Sequence, residues 1–353
     1  MWEAVGPNII HEFVTVIVPI RDEKRHIAMT LESIVSQDYP RDRMEVLVVD
    51  GMSTDGTREI VAGYCRRHPF IRLLDNPRKI TPAALNIGIA HARGDIIMRM
   101  DSHSHFPSNY ISSLVDWQDR TGADNVGGVC RTLPGNDTHM AKAIAVALSH
   151  PIGVGNSYFR IGTAKPRWVD TVPFGSYRRE VFARIGYFDE SLVRNQDDEF
   201  NLRLRKSGGR LLLIPTVIIQ YYTRDSLSKL WRMYYQYGYF KPLVARKSGS
   251  ILSPRQFVPS LSLFALFMTG ILGQWIPQLG ALGILGLLAY FVLCAGVSLA
   301  AVRLNGITVA SRLIMVFPTL HCSYGLGFLK GFLDFFLLGK MGVQDEQGLP
   351  LSR

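Results

Sequence analysis

A carboxylate and two imidazole groups follow a run of apolar residues in the stretch IIMRMDSHSHF, residues 96–106. The apolar residues predict a buried strand, and Asp101 comes directly after it. His103 and His105 alternate, so their side chains point to the same face of an extended chain. Carboxylate oxygen and imidazole nitrogen both bind metal ions in proteins. The spacing indicates a cation site at this strand end; the alternative is a set of polar residues that only cap the strand.

Polar residues also end two earlier apolar strands. The stretch VIVPIRDE carries Arg21 and Glu23, and VVDGMSTDGT carries Asp50 and Asp55. In open α/β sheets, ligands bind beyond the carboxyl ends of the strands. Three strand ends with charged residues therefore predict one shared site. Asp55 keeps two interpretations, a ligand contact or part of a turn, because Ser-Thr-Asp-Gly is also favourable turn sequence.

Strands and helices alternate in the N-terminal part of the chain. Apolar, β-branched strands are each followed by a segment with apolar residues at helical spacing, up to the strand that ends at Asp101. This order predicts an α/β fold with a mostly parallel sheet and helices on both faces. Further on, the sequence predicts strands in ADNVGGVCRTL and RLLLIPTVIIQYY and helices in HMAKAIAVALSH and QDDEFNLRLRKSGG.

The charge balance favours an anionic partner. Lys and Arg number 39 against 29 Asp and Glu, a formal net charge of +10. Such an excess suits nucleic acid, a phospholipid surface or a phosphorylated substrate. The basic residues are spread out, and the 46 residues from Phe257 to Val302 contain no charged side chain. This run favours a membrane over nucleic acid, because about 20 apolar residues cross a bilayer.

The C-terminal part predicts about three membrane spans. Two fit in the uncharged run, and the stretch LIMVFPTLHCSYGLGFLKGFLDFFLL is long enough for a third. The polar residues of this third stretch also allow an interfacial helix. Basic residues flank the spans on the side that the positive-inside rule assigns to the cytoplasm, namely Arg246, Lys247, Arg255, Arg303 and Arg312.

These patterns divide the chain into four predicted regions. Residues 1–224 are expected to form the α/β domain, and residues 225–255, basic and aromatic, an amphipathic helix on the membrane surface. Residues 256–339 form the membrane domain, and residues 340–353 form a C-terminal tail.

Five stretches in this order resemble family 2 glycosyltransferases of the GT-A fold. They are VIVPIRDE, VVDGMSTDGT, the strand ending in MDSH, FGSYRREVFARIGYFDE and DDEFNLRLRKSGG, and the resemblance extends over roughly residues 13–220. The chain is most similar to membrane-bound bacterial enzymes of the succinoglycan-biosynthesis type. The resemblance implies a GT-A, Rossmann-like catalytic domain followed by C-terminal transmembrane helices. It also implies a bacterial inner (plasma) membrane location with the catalytic domain in the cytoplasm.

The resemblance implies a donor site and a metal site. Family members hold the metal with an Asp-x-Asp motif, which Asp101-Ser102-His103 matches except that His103 replaces the last carboxylate. Imidazole suits Mn²⁺ better than Mg²⁺, so a divalent cation with Mn²⁺ favoured is expected at Asp101 and His103. His105 is expected to be a bystander. The residues expected to bind the nucleotide sugar are Pro19, Arg21, Glu23, Asp50, Arg78 (or Lys79), Asp101 and Ser102.

The resemblance also implies the catalytic base. In the family this is the second acidic residue at the start of the helix after the FDE motif, which corresponds to Asp198. Carboxylates at a helix N-terminus are also ordinary capping residues. Asp197, Gly175 and Gln236 are expected to support the acceptor and the active site. The stretch YYQYGY around Gln236 stands where processive synthases carry Q-x-x-R-W, and its different sequence favours addition of a single sugar.

The expected function is an inverting transfer of one sugar from a nucleotide diphosphate donor, a UDP-sugar, to a polyprenyl-diphosphate-linked oligosaccharide in exopolysaccharide synthesis. The expected partners are the donor, the lipid-linked acceptor and the membrane, without nucleic acid. Two enzyme alternatives remain open: transfer to polyprenyl phosphate, and processive polysaccharide synthesis. A third alternative is an inactive membrane scaffold that retains the nucleotide-binding fold.

Overall fold

The computed structural model describes residues 12–249 and 254–340. Its strands are β1 (Val14–Ile20), β2 (Met44–Asp50), β3 (Ile71–Asp75), β4 (Ile96–Arg99), β5 (Ser104–His105), β6 (Asn125–Leu133), β7 (Arg167–Val169), β8 (Ser176–Arg178) and β9 (Leu211–Tyr222). Its helices are α1 (Ile27–Val35), α2 (Thr57–Arg67), α3 (Thr81–His91), α4 (Tyr110–Thr121), α5 (His139–Leu148), α6 (Pro151–Val154), α7 (Tyr158–Ile161), α8 (Arg179–Ile185), α9 (Gln196–Lys206), α10 (Leu227–Ser248), α11 (Pro254–Leu272), α12 (Pro277–Asn305) and α13 (Ile307–Phe332).

The described strands form one mixed sheet. Its order is β3-β2-β1-β4-β8-β6-β9-β5, and β7 pairs with β9. The strands β1 to β4 pair in parallel, as the alternation of strands and helices predicts. β8 then pairs antiparallel with β4 and β6, so the sheet is mixed beyond β4.

Buried aliphatic side chains explain why the N-terminal strands form the centre of the sheet. The seven residues of β2 are all buried, as are six of the seven in β1. Strands buried on both faces carry continuous apolar runs, and β1 and β2 show this pattern. Helix α3 packs closely against β1, because a Cβ added at Gly88 would lie 2.6 Å from Cγ2 of Ile17. Glycine is therefore required at this point of α3.

The chain divides into two compact units. The first comprises Met1–Val129, Thr163–Phe188 and Arg203–Ile219, and the second comprises Cys130–Gly162, Asp189–Leu202 and Gln220–Arg353. The boundaries between these units fall within β6, β9 and α9, whereas the predicted division at residue 224 stays a prediction. Sequence patterns do not reveal such a boundary, because it depends on which distant segments pack together.

The second unit contains the apolar C-terminal helices. Among the described residues, two segments are long and apolar enough to cross a membrane, Pro277–Asn305 and Ile307–Leu337. The predicted first span is the shorter apolar helix Gln256–Leu272, which lies within α11. Residues 250–253 and 341–353, parts of the predicted interfacial and tail regions, lie outside the described residues, as do residues 1–11.

Helices α10 and α13 run side by side in the second unit, with glycines at their interface. A Cβ at Gly238 would lie 2.0 Å from the carbonyl oxygen of Tyr324. A Cβ at Gly327 or Gly331 would lie 2.1 Å from the carbonyl oxygen of Tyr235 or Tyr239, respectively. Small residues let helix backbones approach closely, so these glycines explain how the predicted amphipathic helix joins the apolar helices.

Candidate active site

The loops that follow β1, β2 and β3 adopt a backbone conformation that non-glycine residues rarely take. Asp22, Met52 and Lys79 have φ angles of 50°, 58° and 59°. Each such residue costs about 1–3 kcal/mol, and these residues are typically found at ligand and active sites. The parallel strands β2, β1 and β4 are adjacent, so their carboxyl ends lie along one edge of the sheet in the first unit. This edge agrees with the predicted site.

Asp50 ends β2 and is fully buried. Its Oδ2 accepts a hydrogen bond from the backbone N–H of Ser53 at 3.0 Å. Arg58, in the first turn of α2, donates to the same oxygen at 2.6 Å and also pairs with Asp75 at 2.8 Å. The carboxylate therefore organises the loop after β2, and the cationic Arg58 lies beside it.

The loop after β1 also contacts the loops after β2 and β3. Nη1 of Arg21 donates to the carbonyl oxygen of Lys79 at 3.3 Å, while Arg78 is exposed. The Arg21 side chain also lies close to Gly51, where an added Cβ would be 3.1 Å from it. The backbone N–H of Glu23 donates to Oγ1 of Thr57 at 2.9 Å. Pro19 is partly buried within β1, one residue before the strand ends.

Asp55 caps the start of α2. Its carboxylate accepts hydrogen bonds from the backbone N–H groups of Lys24, at 3.1 Å, and Thr57, at 3.0 Å. Burial acts to raise the pKa of Asp55, but these hydrogen bonds and one from the Thr57 hydroxyl outweigh it and lower the pKa overall. The geometry favours the turn interpretation of Asp55 over a ligand contact.

Asp101 lies two residues beyond the end of β4 and is paired with an arginine. Nε and Nη2 of Arg99 donate to Oδ1 and Oδ2 of Asp101 at 2.6 and 2.7 Å. The carbonyl oxygen of Ser102 accepts a bond from the Thr30 hydroxyl at 2.7 Å, which ties this segment to α1. His103 is partly buried. The carboxylate is thus held in place with a positively charged group against both of its oxygens.

His105 and Gly175 lie in or directly beside strands of the sheet. His105 belongs to the two-residue strand β5, so it is part of the sheet rather than of a loop. Gly175 immediately precedes β8, and its carbonyl oxygen accepts a hydrogen bond from the backbone N–H of Arg99 at 3.1 Å. A Cβ at Gly175 would lie 2.3 Å from Oδ1 of Asn125, so only glycine fits beside the end of β4.

Asp198 lies in the first turn of α9, in the second unit, and is paired with a lysine. Nζ of Lys241, on α10, donates to Oδ2 of Asp198 at 2.5 Å. The Lys241 side chain is 10% exposed and that of Asp198 is 31% exposed. Oδ1 of Asp197 accepts a hydrogen bond from the backbone N–H of Asp198 at 3.0 Å. Asp197 therefore caps the helix start, and the Asp198 carboxylate is left to the lysine and to groups that approach its open side.

Gln236 is buried in α10 and contacts the loop before α9. Its Oε1 accepts a hydrogen bond from Nε of Arg194 at 3.2 Å. The adjacent Asn195 has a φ angle of 60° and donates to the carbonyl oxygen of Tyr237 at 2.9 Å. These bonds fix the backbone just before the acidic residues of α9. Gln236 thus supports the loop that leads to Asp198.

Sequence reasoning missed the basic partners of the acidic residues. The Arg99 contact had a local signal, because residues two apart on an extended chain share a face. Arg58 and Lys241 had none, since their partners are on other elements of the chain. Acidic strand and helix ends can be found by pattern, but their counter-charges depend on tertiary packing.

Comparison with known proteins identifies the family. The model described as glycosyl transferase family 2 matches residues 15–186. The chain is 31% identical over 325 residues to succinoglycan biosynthesis protein ExoA of Rhizobium meliloti (strain 1021), covering 91% of this chain and 95% of that protein. The chain belongs to glycosyl transferase family 2. This family 2 glycosyltransferase is also similar to the dolichyl N-acetyl-α-D-glucosaminyl phosphate 3-β-D-2,3-diacetamido-2,3-dideoxy-β-D-glucuronosyltransferase of Methanococcus voltae, with 28% identity over 334 residues, 91% of this chain and 97% of that protein.

A solved structure agrees with the fold. Mannosyltransferase PcManGT from Pyrobaculum calidifontis, in complex with GDP-Man and Mn²⁺, matches with a TM-score of 0.60 and 23% identity over 95% of this chain and 91% of that chain. The likeness confirms the predicted GT-A type of α/β fold. The family 2 glycosyltransferase is therefore an enzyme, as predicted.

Proposed function

We propose that this family 2 glycosyltransferase is anchored in the bacterial inner (plasma) membrane and acts on the cytoplasmic side. It moves one sugar from a nucleotide diphosphate donor, a UDP-sugar, to a polyprenyl-diphosphate-linked oligosaccharide during exopolysaccharide synthesis. The names of two full-length relatives support this proposal, because one acts in succinoglycan biosynthesis and the other on a dolichyl-linked sugar phosphate.

The exposed apolar surface of the C-terminal helices carries the proposal of membrane anchoring. In the most apolar window of α12, only 11% of the residues are buried. A core helix of a soluble protein buries its apolar side chains, whereas α12 exposes Leu282, Ile284, Leu288 and Val292 by more than half. Trp275, in the turn before α12, is 72% exposed, as expected for a side chain at a membrane interface. A lipid-linked acceptor explains why a transferase needs such an anchor.

The edge formed by β2, β1 and β4 is the proposed donor site. Asp50, Glu23 and Arg21 would face the nucleoside, with Pro19 and Ser102 shaping the backbone near it. Arg78 would meet the diphosphate, since it is exposed on the loop after β3 and a guanidinium binds phosphate oxygens well. Gly175 would keep the end of β4 open to the sugar. The unusual φ angles of three loops at these strand ends support a ligand at this edge.

Asp101 and His103 would hold a divalent cation. Within the described residues, no group of three or more His, Cys, Asp or Glu side chains could hold a metal ion alone. A cation shared between one or two protein ligands and substrate phosphates suits this donor set. Arg99 occupies both oxygens of Asp101, so a cation at this site would have to compete with its guanidinium for the carboxylate. When bound, the cation would supply positive charge to the departing nucleoside diphosphate.

Asp198 is the proposed general base. The acceptor hydroxyl oxygen attacks C1 of the sugar, the C1–O bond to the diphosphate breaks, and its electron pair leaves with the nucleoside diphosphate. The hydroxyl proton passes to the Asp198 carboxylate, and attack from the face opposite the leaving group inverts C1. Lys241 would orient this carboxylate, while Asp197 and Gln236 would fix the start of α9.

Mass analysis of the products tests this function. The full chain in lipid nanodiscs is given a panel of nucleotide sugars and a polyprenyl-diphosphate-linked oligosaccharide. The proposal predicts products heavier by one sugar, with a rate that is higher in Mn²⁺ than in Mg²⁺ because of His103. A ladder of longer products would support processive synthesis instead, and sugar on polyprenyl phosphate alone would support the monophosphate acceptor. No transfer from any donor, with or without metal, would favour the inactive scaffold.

A further inference from the structure

Three arginines and three tyrosines meet in the second unit. This arginine–tyrosine cluster consists of Arg160, Arg194, Arg224, Tyr221, Tyr234 and Tyr237. Cζ of Arg160 lies 5.2 Å from the centre of the Tyr221 ring. The rings of Tyr234 and Tyr237, on successive turns of α10, lie 5.5 Å apart. The residues come from α7, the loop before α9, the end of β9 with the loop that follows it, and α10. The fold therefore brings together four segments that are separate in the sequence.

The guanidinium of Arg160 is buried with unused hydrogen-bonding capacity. Its Nη1 is inaccessible to solvent and has no hydrogen-bond partner in the part of the chain that the structure describes. A guanidinium remains charged at any physiological pH, so burial cannot be relieved by loss of a proton. A buried charged group without an acceptor is costly, and native proteins rarely leave one in this state.

The arginines of the cluster act on one another electrostatically. Burial lowers the pKa of Arg194, and the nearby positive charge of Arg224 lowers it further. Asp197 is the carboxylate that acts against this shift. The strongest electrostatic neighbours of Arg160 are the three tyrosines and Cys130 rather than a carboxylate. The like charges of Arg194 and Arg224 disfavour each other, and a bound anion nearby would relieve this repulsion.

The tyrosines provide neutral hydroxyl donors beside the arginines. Burial raises the pKa of Tyr237, and Tyr221 raises it further, although Arg194, Arg160 and Arg224 act to lower it. Burial likewise raises the pKa of Tyr234. Both hydroxyls therefore keep their protons near neutral pH and can donate hydrogen bonds. Buried guanidinium groups with neighbouring phenol donors form a suitable environment for phosphate oxygens.

We propose that the arginine–tyrosine cluster binds a phosphate or diphosphate group. Arg160 would use its buried Nη1 to hold one phosphate oxygen, and Arg194 and Arg224 would neutralise the remaining charge. Bidentate arginine contacts favour phosphate over the carboxylate of a sugar acid, because phosphate offers more oxygens to the three guanidinium groups.

Two substrates of the proposed reaction carry this group, and the identity of the source rests on the proposed function. The donor has a nucleoside diphosphate, and the lipid-linked acceptor has a diphosphate next to its polyprenyl chain. Inorganic pyrophosphate, UDP and farnesyl diphosphate separate the possibilities, because they present the diphosphate alone, on a nucleoside and on a short polyprenyl chain. Binding of these probes is measured without any sugar transfer.

The test compares variants of the full chain in nanodiscs by titration calorimetry. Arg160→Gln removes the buried fork, Arg160→Lys keeps the charge but not the fork, and Tyr237→Phe removes one hydroxyl. Arg131→Gln is the matched control, because it removes the same charge from an exposed residue beside Cys130. We expect Arg160→Gln to weaken pyrophosphate binding at least tenfold, the other two cluster variants several-fold, and the control less than twofold.

The other two probes identify which substrate, donor or acceptor, supplies the phosphate group. Weaker binding of UDP in Arg160→Gln assigns the cluster to the donor, and weaker binding of farnesyl diphosphate assigns it to the acceptor. Absence of pyrophosphate binding by the unaltered chain, or equal binding of all three probes by the unaltered chain and Arg160→Gln, would overturn the proposal. If sugar transfer is absent but pyrophosphate binding depends on Arg160, the phosphate site stands and the proposed function fails. If transfer occurs and Arg160→Gln binds all three probes normally, the function stands and the phosphate site fails.

Discussion

Replacement of Gly331 by alanine tests how closely α13 approaches α10. The added Cβ would lie 2.1 Å from the carbonyl oxygen of Tyr239, a backbone atom that cannot rotate away. Overpacking a well-packed interface costs about 1–3 kcal/mol, and a backbone contact favours the upper end of that range. Alanine regains about 1 kcal/mol of helix propensity over glycine. The net expected loss is therefore about 2 kcal/mol.

Gly296→Ala is the matched control on α12. Apart from its chain neighbours and the adjacent backbone of α12, no atom of the described residues lies within 4 Å of a Cβ added there, so only the gain in helix propensity of up to about 1 kcal/mol remains. The two variants should thus differ by about 3 kcal/mol. For chains of 150–250 residues, 1 kcal/mol corresponds to about 2–4 °C in Tm, and the longer chain here favours the lower end of that range.

The assay is thermal unfolding of the purified full chain in detergent micelles at a single scan rate, because unfolding of such proteins is often irreversible. Gly331→Ala should unfold at least about 4 °C below the unaltered chain, while Gly296→Ala unfolds at the same temperature or higher. Equal midpoints for both variants would refute the close approach of α10 and α13.

Three other substitutions test the ion pairs. Lys241→Met should lower turnover at least about tenfold without weakening UDP binding, because Asp198 loses the group that orients it; unchanged turnover would contradict this role. Arg99→Met should tighten Mn²⁺ binding several-fold in titration calorimetry, since no guanidinium then competes for the Asp101 carboxylate; weaker binding would show that the arginine builds the site. Asp334→Asn should destabilise the chain by about 3 kcal/mol, because its buried carboxylate pairs with two lysines and a tyrosine hydroxyl. In a thermal scan, a midpoint within about 1–2 °C of the unaltered chain would count against that network.

Local patterns were sufficient for much of the catalytic fold. The buried strands β1 and β2 read as continuous apolar runs, and α9 begins at the acidic residues and ends before Gly208, as predicted. The antiparallel pairing of β8 was not predicted, because its three residues carry too little pattern to assign a partner strand.

Sequence reasoning selected the acidic residues of the candidate site but not the basic side chains that pair with them. Asp50 and Asp101 stand out because they follow buried apolar strands, and Asp198 because of its place after the FDE motif. Their partners Arg58 and Lys241 belong to elements whose sequence has no relation to the acidic residues. The arginine–tyrosine cluster was missed for the same reason, since its six residues span four separate segments.

The central claim is that Asp198 is the base of a glycosyl transfer. The direct measurement is the single-turnover rate of Asp198→Asn with donor and lipid-linked acceptor, beside the affinity of the same variant for UDP. Asp189→Asn is the control, because Asp189 forms a similar half-buried pair with Lys247. The account predicts that Asp198→Asn loses at least about 100-fold in rate, the scale of general base catalysis, while UDP binds within about threefold of normal and the control remains active. Sugar transfer by Asp198→Asn at the rate of the unaltered chain would contradict it.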